Sequence, residues 1–132
     1  MIGGVDVRSA VGDEGCVGEH RVREGALAAF IDGSLCGVAE FHTQFYGHAF
    51  ISLLLVDERV RRRGVASALV SACAMAAPTS KLFVSTNASN LPAQALFLHL
   101  GFRPSGSIEN LDEDDPELVY CKLLEGREPA LN

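Results

Sequence analysis

The sequence predicts a single-domain α/β fold over residues 1–132: a mixed, mostly antiparallel sheet of about seven strands with helices on both faces. Three observations carry that expectation. Between Ala26 and Val56 three strand-like runs follow one another, separated by the turn signals Asp32-Gly33-Ser34 and Tyr46-Gly47. From His48 to Leu100 the order is strand, helix, strand, helix, which calls for a parallel pair with a right-handed crossover. The chain, at 132 residues with 48% hydrophobic and 21% charged side chains, is long enough to bury about two thirds of its unfolded surface in one core.

In chain order, residues 2 to 8 alternate apolar Val5 and Val7 with Asp6 and Arg8, as a short first strand does. Asp13 to Glu24 has weak helical character, with Asp13 as N-cap and Gly25 as C′ residue. Strands follow at Ala26 to Ile31, Leu35 to Phe41 and His48 to Val56. A helix from Gly64 to about Ala77 puts Val65, Ala68, Leu69, Ala72, Cys73 and Ala76 on one face, and Pro78 prevents its continuation. Lys81 to Thr86 reads as a buried strand. Asn90 is a natural N-cap for a helix from Leu91 to Leu100, with Gly101 at C′. Phe102 to Ile108 and Leu118 to Leu124 complete the sheet.

Composition excludes several classes. Net charge is −6, against a nucleic-acid surface. The N-terminus lacks a basic stretch followed by an apolar one, and no apolar run approaches the roughly 20 residues of a membrane span, so a cytoplasmic protein without membrane partners is expected. Cys16, Cys36, Cys73 and Cys121 are scattered, which predicts buried free thiols and no metal site.

The stretch Phe50 to Leu69 is the most informative. A buried strand is followed by Arg59, Arg61, Arg62 and Arg63, then by Gly64 at a helix start. The first N–H groups of a helix lack intrahelical partners and carry the positive end of the macrodipole, so this is the layout of an anion site. A missing Cβ lets a phosphate approach, and guanidinium groups suit its oxygens.

Arg61-Arg62-Arg63-Gly64-Val65-Ala66 resembles the R/Q-x-x-G-x-G/A acetyl-CoA signature of the GNAT family of N-acetyltransferases. Downstream, Asn90-Leu-Pro-Ala93-Gln-Ala-Leu96-Phe97-Leu-His-Leu-Gly101-Phe102 resembles the family's N-x-x-A-x-x-L-Y-x-x-x-G-F segment. The resemblance implies a GNAT-like fold whose usual two N-terminal helices are shortened here to one. It implies acetyl-CoA as co-substrate and no metal. The N–H groups of Arg61, Arg62, Arg63, Gly64, Val65, Ala66 and Ser67 would hold the pyrophosphate, the backbone of Leu54 and Val56 would pair with the pantetheine arm, and Asn90 would lie near pantetheine as well as capping its helix.

Amide formation from a thioester also needs a base for the amine and an acid for the leaving thiolate. The titratable groups nearest the acceptor face are Glu40, His42 and His48, and Glu40, acting through a water, is the expected base. Phe50 and Ser52 stand where some family members carry one, and His99 reads as a surface or packing residue. The family's tyrosine position is Phe97, which has no proton to give, so Tyr120 or a water takes that role, or the thiolate leaves unassisted. The acidic run Asp112 to Glu117 is either a solvated connection or a feature that steers a cationic acceptor. The expected activity is direct acetyl transfer to a primary amine of a small molecule or peptide, and the alternative is a non-catalytic acyl-CoA-binding module. A homodimer is expected if the shortened N-terminal region leaves apolar sheet uncovered.

Overall fold

The computed structural model describes residues 3–126. Its strands are β1 (Asp6–Ser9), β2 (Cys16–Val17), β3 (His20–Arg21), β4 (Leu27–Ile31), β5 (Ser34–Phe45), β6 (His48–Val56), β7 (Lys81–Asn87), β8 (Arg103–Ile108) and β9 (Glu117–Leu123). Two helices, α1 (Val65–Ala76) and α2 (Leu91–His99), and a 3-10 turn at Glu58–Val60 complete it. Seven strands form one sheet in the order β1-β4-β5-β6-β7-β9-β8, and β2 and β3 form a separate hairpin. The first residue expected in the opening strand, Ile2, lies outside the described residues.

Both hairpin signals act as the sequence implies. Asp32 and Gly33 have φ of 49° and 78°, and the register closes at Ile31↔Ser34. Tyr46 and Gly47, at 52° and 80°, turn β5 into β6 with the same pair of positive dihedrals, matching the twist of the arms they join. The expected parallel pair is β6 with β7, and the other registered pairs are antiparallel.

Contacts gather the backbone into two compact units, one holding the residues up to Phe41 with Ser52–Ala76, the other His42–Ile51 with the residues from Ala77 onward. In the first unit α1 covers one side of β4 and β5, burying Val65, Ala68, Leu69, Val70 and Cys73. Gly37 permits that approach, because a Cβ there would stand 2.8 Å from Val65 Cγ1 and 3.0 Å from Leu69 Cδ1. On the other side of β5, Val38 joins Ala10, Val17, Val22, Ala26 and Ala28 in a second apolar layer.

That second layer revises one expectation. Residues 13 to 24 form no helix but the β2–β3 hairpin, registered Cys16↔Arg21 and Val17↔His20. Gly15 and Gly18 have φ of 107° and 60°, outside helical space, and Asp13 Oδ1 accepts a hydrogen bond from Gly15 N at 3.1 Å. Such short-range bonding by Asp competes with a helix. Burying Val17 and Val22 against Val38 then favours the hairpin.

In the second unit Asn90 caps α2, its Oδ1 accepting from Ala93 N at 3.1 Å, and Gly101 follows the C-cap at φ 91°. Phe97, 2% exposed, turns inward from α2 onto Phe102 and Tyr120. A separate aromatic set, Phe45, Phe50 and Phe83, stacks across the strands with centroids 4.8 and 5.0 Å from Phe45. Three of the four cysteines are buried as expected; Cys16 is exposed on the hairpin.

Candidate functional site

Strand β6 leads directly into the arginine loop. Asp57 N donates to Cys36 O at 2.8 Å, so the chain stays beside β5 for one residue past the strand. The Asp57 side chain then turns it: Oδ1 accepts from Arg59 N at 2.9 Å, and the carboxylate takes Arg59 Nε at 3.1 Å and Nη2 at 2.7 Å. The Arg59 guanidinium beside Asp57 holds its carboxyl down at about 2. Arg61 Nη2 lies 3.6 Å from Glu58 Oε1. Two of the four arginines are thus tied within the loop, whereas Arg62 and Arg63 are exposed and make no ion pair among the described residues.

The backbone past these arginines is shaped for an anion. Arg62 has φ 67° and Gly64 φ 82°, both left-handed. At Gly64 a Cβ would meet nothing within 4 Å, leaving open space against the main chain. The first intrahelical bond runs from Ala68 N to Gly64 O at 3.0 Å, so the N–H groups of Val65, Ala66 and Ser67 precede it and have no partner within α1. Beside the loop lies an open concavity of about 530 Å³, lined by Gly18 and Glu19 of the β2–β3 turn, Leu55 and Val56 of β6, and Asp57 and Arg61. Of the residues that the sequence assigns to the cofactor, Leu54, Val56 and Arg61 to Ser67 belong to this one unit and Asn90 to the other, and the Arg61 N–H is already taken by Glu58 O at 3.4 Å.

β6 carries Leu54 and Val56 up to the arginine loop. Its parallel register with β7 holds at Ala49↔Leu82 and Phe50↔Phe83, while the strand itself continues to Val56. Leu54 and Val56 are half-buried.

Glu40 is held in an ion-pair cluster. Arg23 donates through Nε to Oε2 at 3.2 Å and through Nη2 to Oε1, and His20 Nε2 is 3.4 Å from Oε2. Arg23 first, and His20 with it, keeps the Glu40 carboxyl below its ordinary range despite partial burial. A carboxylate stabilised in its charged form is a poorer proton acceptor, which works against the base role. Neither Arg23 nor His20 carries a sequence signal for this pairing, since they lie 17 and 20 residues from Glu40.

The other candidate groups, His42, His48, His99 and Tyr120, differ in setting. His42 Nδ1 accepts from Gln44 N at 3.1 Å, and its ring lies 5.7 Å from Phe50. The His48 ring lies 5.7 Å from Phe83, with Nδ1 buried and without a hydrogen-bond partner among the described residues. His99 is exposed. Tyr120, 4% exposed, has its ring 5.6 Å from that of Phe97.

The acidic run is more structural than a solvated connection. Asp115 accepts from Ser89 N at 2.9 Å and Ser89 Oγ at 2.6 Å, Asp112 from Asn87 Nδ2 at 2.7 Å, and Glu117 from Ser85 Oγ at 2.7 Å. These bonds tie it to the end of β7 and to the turn that follows it. Glu113 and Asp114 remain exposed. Among the described residues no three His, Cys, Asp or Glu side chains come together to hold a metal ion, and no helix is long and apolar enough to cross a membrane.

Residues 8–102 match the family model described as the acetyltransferase (GNAT) family. Among solved structures, a GNAT-family acetyltransferase from Bacillus cereus ATCC 10987 is 34% identical, with a TM-score of 0.82 over 90% of this chain and 96% of that one. The Escherichia coli ribosomal-protein-S18-alanine N-acetyltransferase shares the fold at 16% identity, with a TM-score of 0.74 over 97% and 99% of the two chains. An acetyltransferase of Bacillus anthracis str. Ames, solved in complex with acetyl coenzyme A, is 17% identical, with a TM-score of 0.65 over 74% and 61%. No curated protein sequence matches the chain.

Proposed function

Since the chain belongs to the GNAT acetyltransferase family, we propose that it moves the acetyl group of acetyl-CoA directly onto a primary amine of a small molecule or peptide. The observation that carries this is the backbone at Gly64: left-handed, open where a Cβ would stand, and followed by the unpaired first-turn N–H groups of α1. A pyrophosphate fits there, held by the N–H groups of Val65, Ala66 and Ser67 and by the free guanidinium groups of Arg62 and Arg63. The place of Leu54 and Val56 at the end of β6, just before the arginine loop, supports the second part of the cofactor assignment, in which they hydrogen-bond the pantetheine amides as a neighbouring strand would. Asn90 caps α2 through Oδ1, and its place near pantetheine rests on the motif.

Acetyl-CoA supplies an activated thioester carbonyl and a thiolate leaving group. The chain's task is to fix that carbonyl, deliver the amine nitrogen neutral and see the thiolate protonated. As the C–N bond forms and the C–S bond breaks, the proton lost from the amine goes to water and the sulfur gains one. Tyr120 is our assignment for the donor, because its phenol lies against Phe97, the position where the family's tyrosine stands. No covalent acyl-enzyme is involved: burial pushes the Cys73 thiol up to about 12, which removes its thiolate at neutral pH. A cytoplasmic setting belongs to the same proposal.

Phe97 favours a second reading, a module that binds acyl-CoA without turning it over. Acceptor-dependent release of free thiol from acetyl-CoA separates the two. Transfer requires it, and the module excludes it.

A further inference from the structure

The Arg23–Glu40 pair stands at the edge of an open cavity of about 440 Å³ in the first unit. That volume is in the range of small-ligand sites, roughly 300–1,000 Å³. Its lining includes the apolar residues Ala26, Leu27, Ala39 and Phe41 and the charged residues Arg23, Glu24 and Glu40.

The two members of the pair are unequally buried. The Glu40 side chain is 15% exposed, that of Arg23 73%. A carboxylate withdrawn that far from water needs a positive partner, whereas a long side chain reaching in from solvent gains little by staying and recovers its rotamer freedom by leaving. His20 stays beside Oε2 in either case.

We propose that this cavity holds the cationic end of the amine acceptor on Glu40, and that Arg23 is a stand-in cation which the acceptor displaces; the assignment to an acceptor rests on the chain being an amine acetyltransferase. The acceptor class is a short aliphatic diamine. One nitrogen, charged, is anchored at Glu40 with its methylenes toward Ala26, which lies on the same face of the sheet as Glu40, and the other is left to react. Glu40 then acts in binding and takes no proton.

Opposite signs for the two partners make the test. Titration calorimetry of the full chain with 1,4-diaminobutane and 1-aminobutane, without acetyl-CoA, is expected to show the diamine binding more tightly. Glu40→Gln should weaken the diamine about tenfold or more, the loss of a charge-assisted bond. Arg23→Ala should tighten it about threefold by removing the competitor, and Arg23→Lys, which keeps a competing charge, should leave it near the wild-type value. An ion pair that only supports the fold would give losses in both Arg23→Ala and Glu40→Gln. Weaker or unchanged diamine binding in Arg23→Ala, or no diamine binding to the wild type, overturns the proposal. Acceptor-dependent thiol release whose amine KM is the same in Glu40→Gln also overturns it while leaving acetyl transfer standing. Diamine binding without thiol release keeps the cavity assignment and removes the transferase.

Discussion

The ring of Tyr120 lies 5.6 Å from the ring of Phe97, tilted by 58°, with both side chains buried on the inner side of α2. The phenol missing at position 97 is thus present on the neighbouring strand. Removing it in Tyr120→Phe should lower kcat about 10²–10⁴-fold, the usual worth of a positioned acid, while the KM for acetyl-CoA stays within about twofold. Adding Phe97→Tyr to that variant should recover part of the rate. Steady-state thiol release checks both, and an unchanged kcat in Tyr120→Phe would assign the proton to water.

Gly64 combines φ 82° with open space on its Cβ side. Gly64→Leu would strain the backbone by about 1–2 kcal/mol and fill the space taken by the anion. Calorimetry with CoA should show affinity reduced about tenfold or more, whereas the strain, present with and without CoA, is read as a lower Tm. Affinity equal to wild type would remove the pyrophosphate from this loop.

The acidic run divides into anchored and free members. Asp115→Ala breaks two bonds to Ser89 and should cost about 1.5–3 kcal/mol, read as a lower Tm. Asp114 is exposed, so Asp114→Asn should leave Tm unchanged and reduce kcat/KM for a cationic acceptor at low salt only. Equal acceptor kinetics at low salt would end the steering idea.

Thiol reactivity follows burial. Brief alkylation of the native chain near neutral pH should modify Cys16 and spare Cys36, Cys73 and Cys121, whose thiols burial pushes up. Peptide mass spectrometry locates the adduct. Rapid labelling of Cys73 would reopen the covalent route.

Where local chemistry decides, the sequence was readable. The positive dihedrals at Asp32-Gly33 and Tyr46-Gly47, the 3.6-residue spacing of Val65, Ala68, Leu69 and Cys73, and the Asn90 cap all lie within a few residues of their cause. Residues 13 to 24 were misread because their structure is set from elsewhere: Val17 and Val22 pack on Val38, a strand away. Gly15 and Gly18 in that window were the available warning. In the candidate site, the loop from Arg61 to Ser67 was legible as a motif, but the partners of Glu40 were not. Arg23 and His20 meet it only through folding, and it is they that hold Glu40 charged.

Acetyl transfer to an amine is the central claim. Its most direct measurement is thiol release from acetyl-CoA in the presence of diamines, monoamines and peptide N-termini, with mass spectrometry of the amine. Thiol release that depends on the amine and matches, mole for mole, the formation of an acetylated amine is the expected result. Tight acetyl-CoA binding with no amine-dependent thiol release would contradict it and leave a binding module.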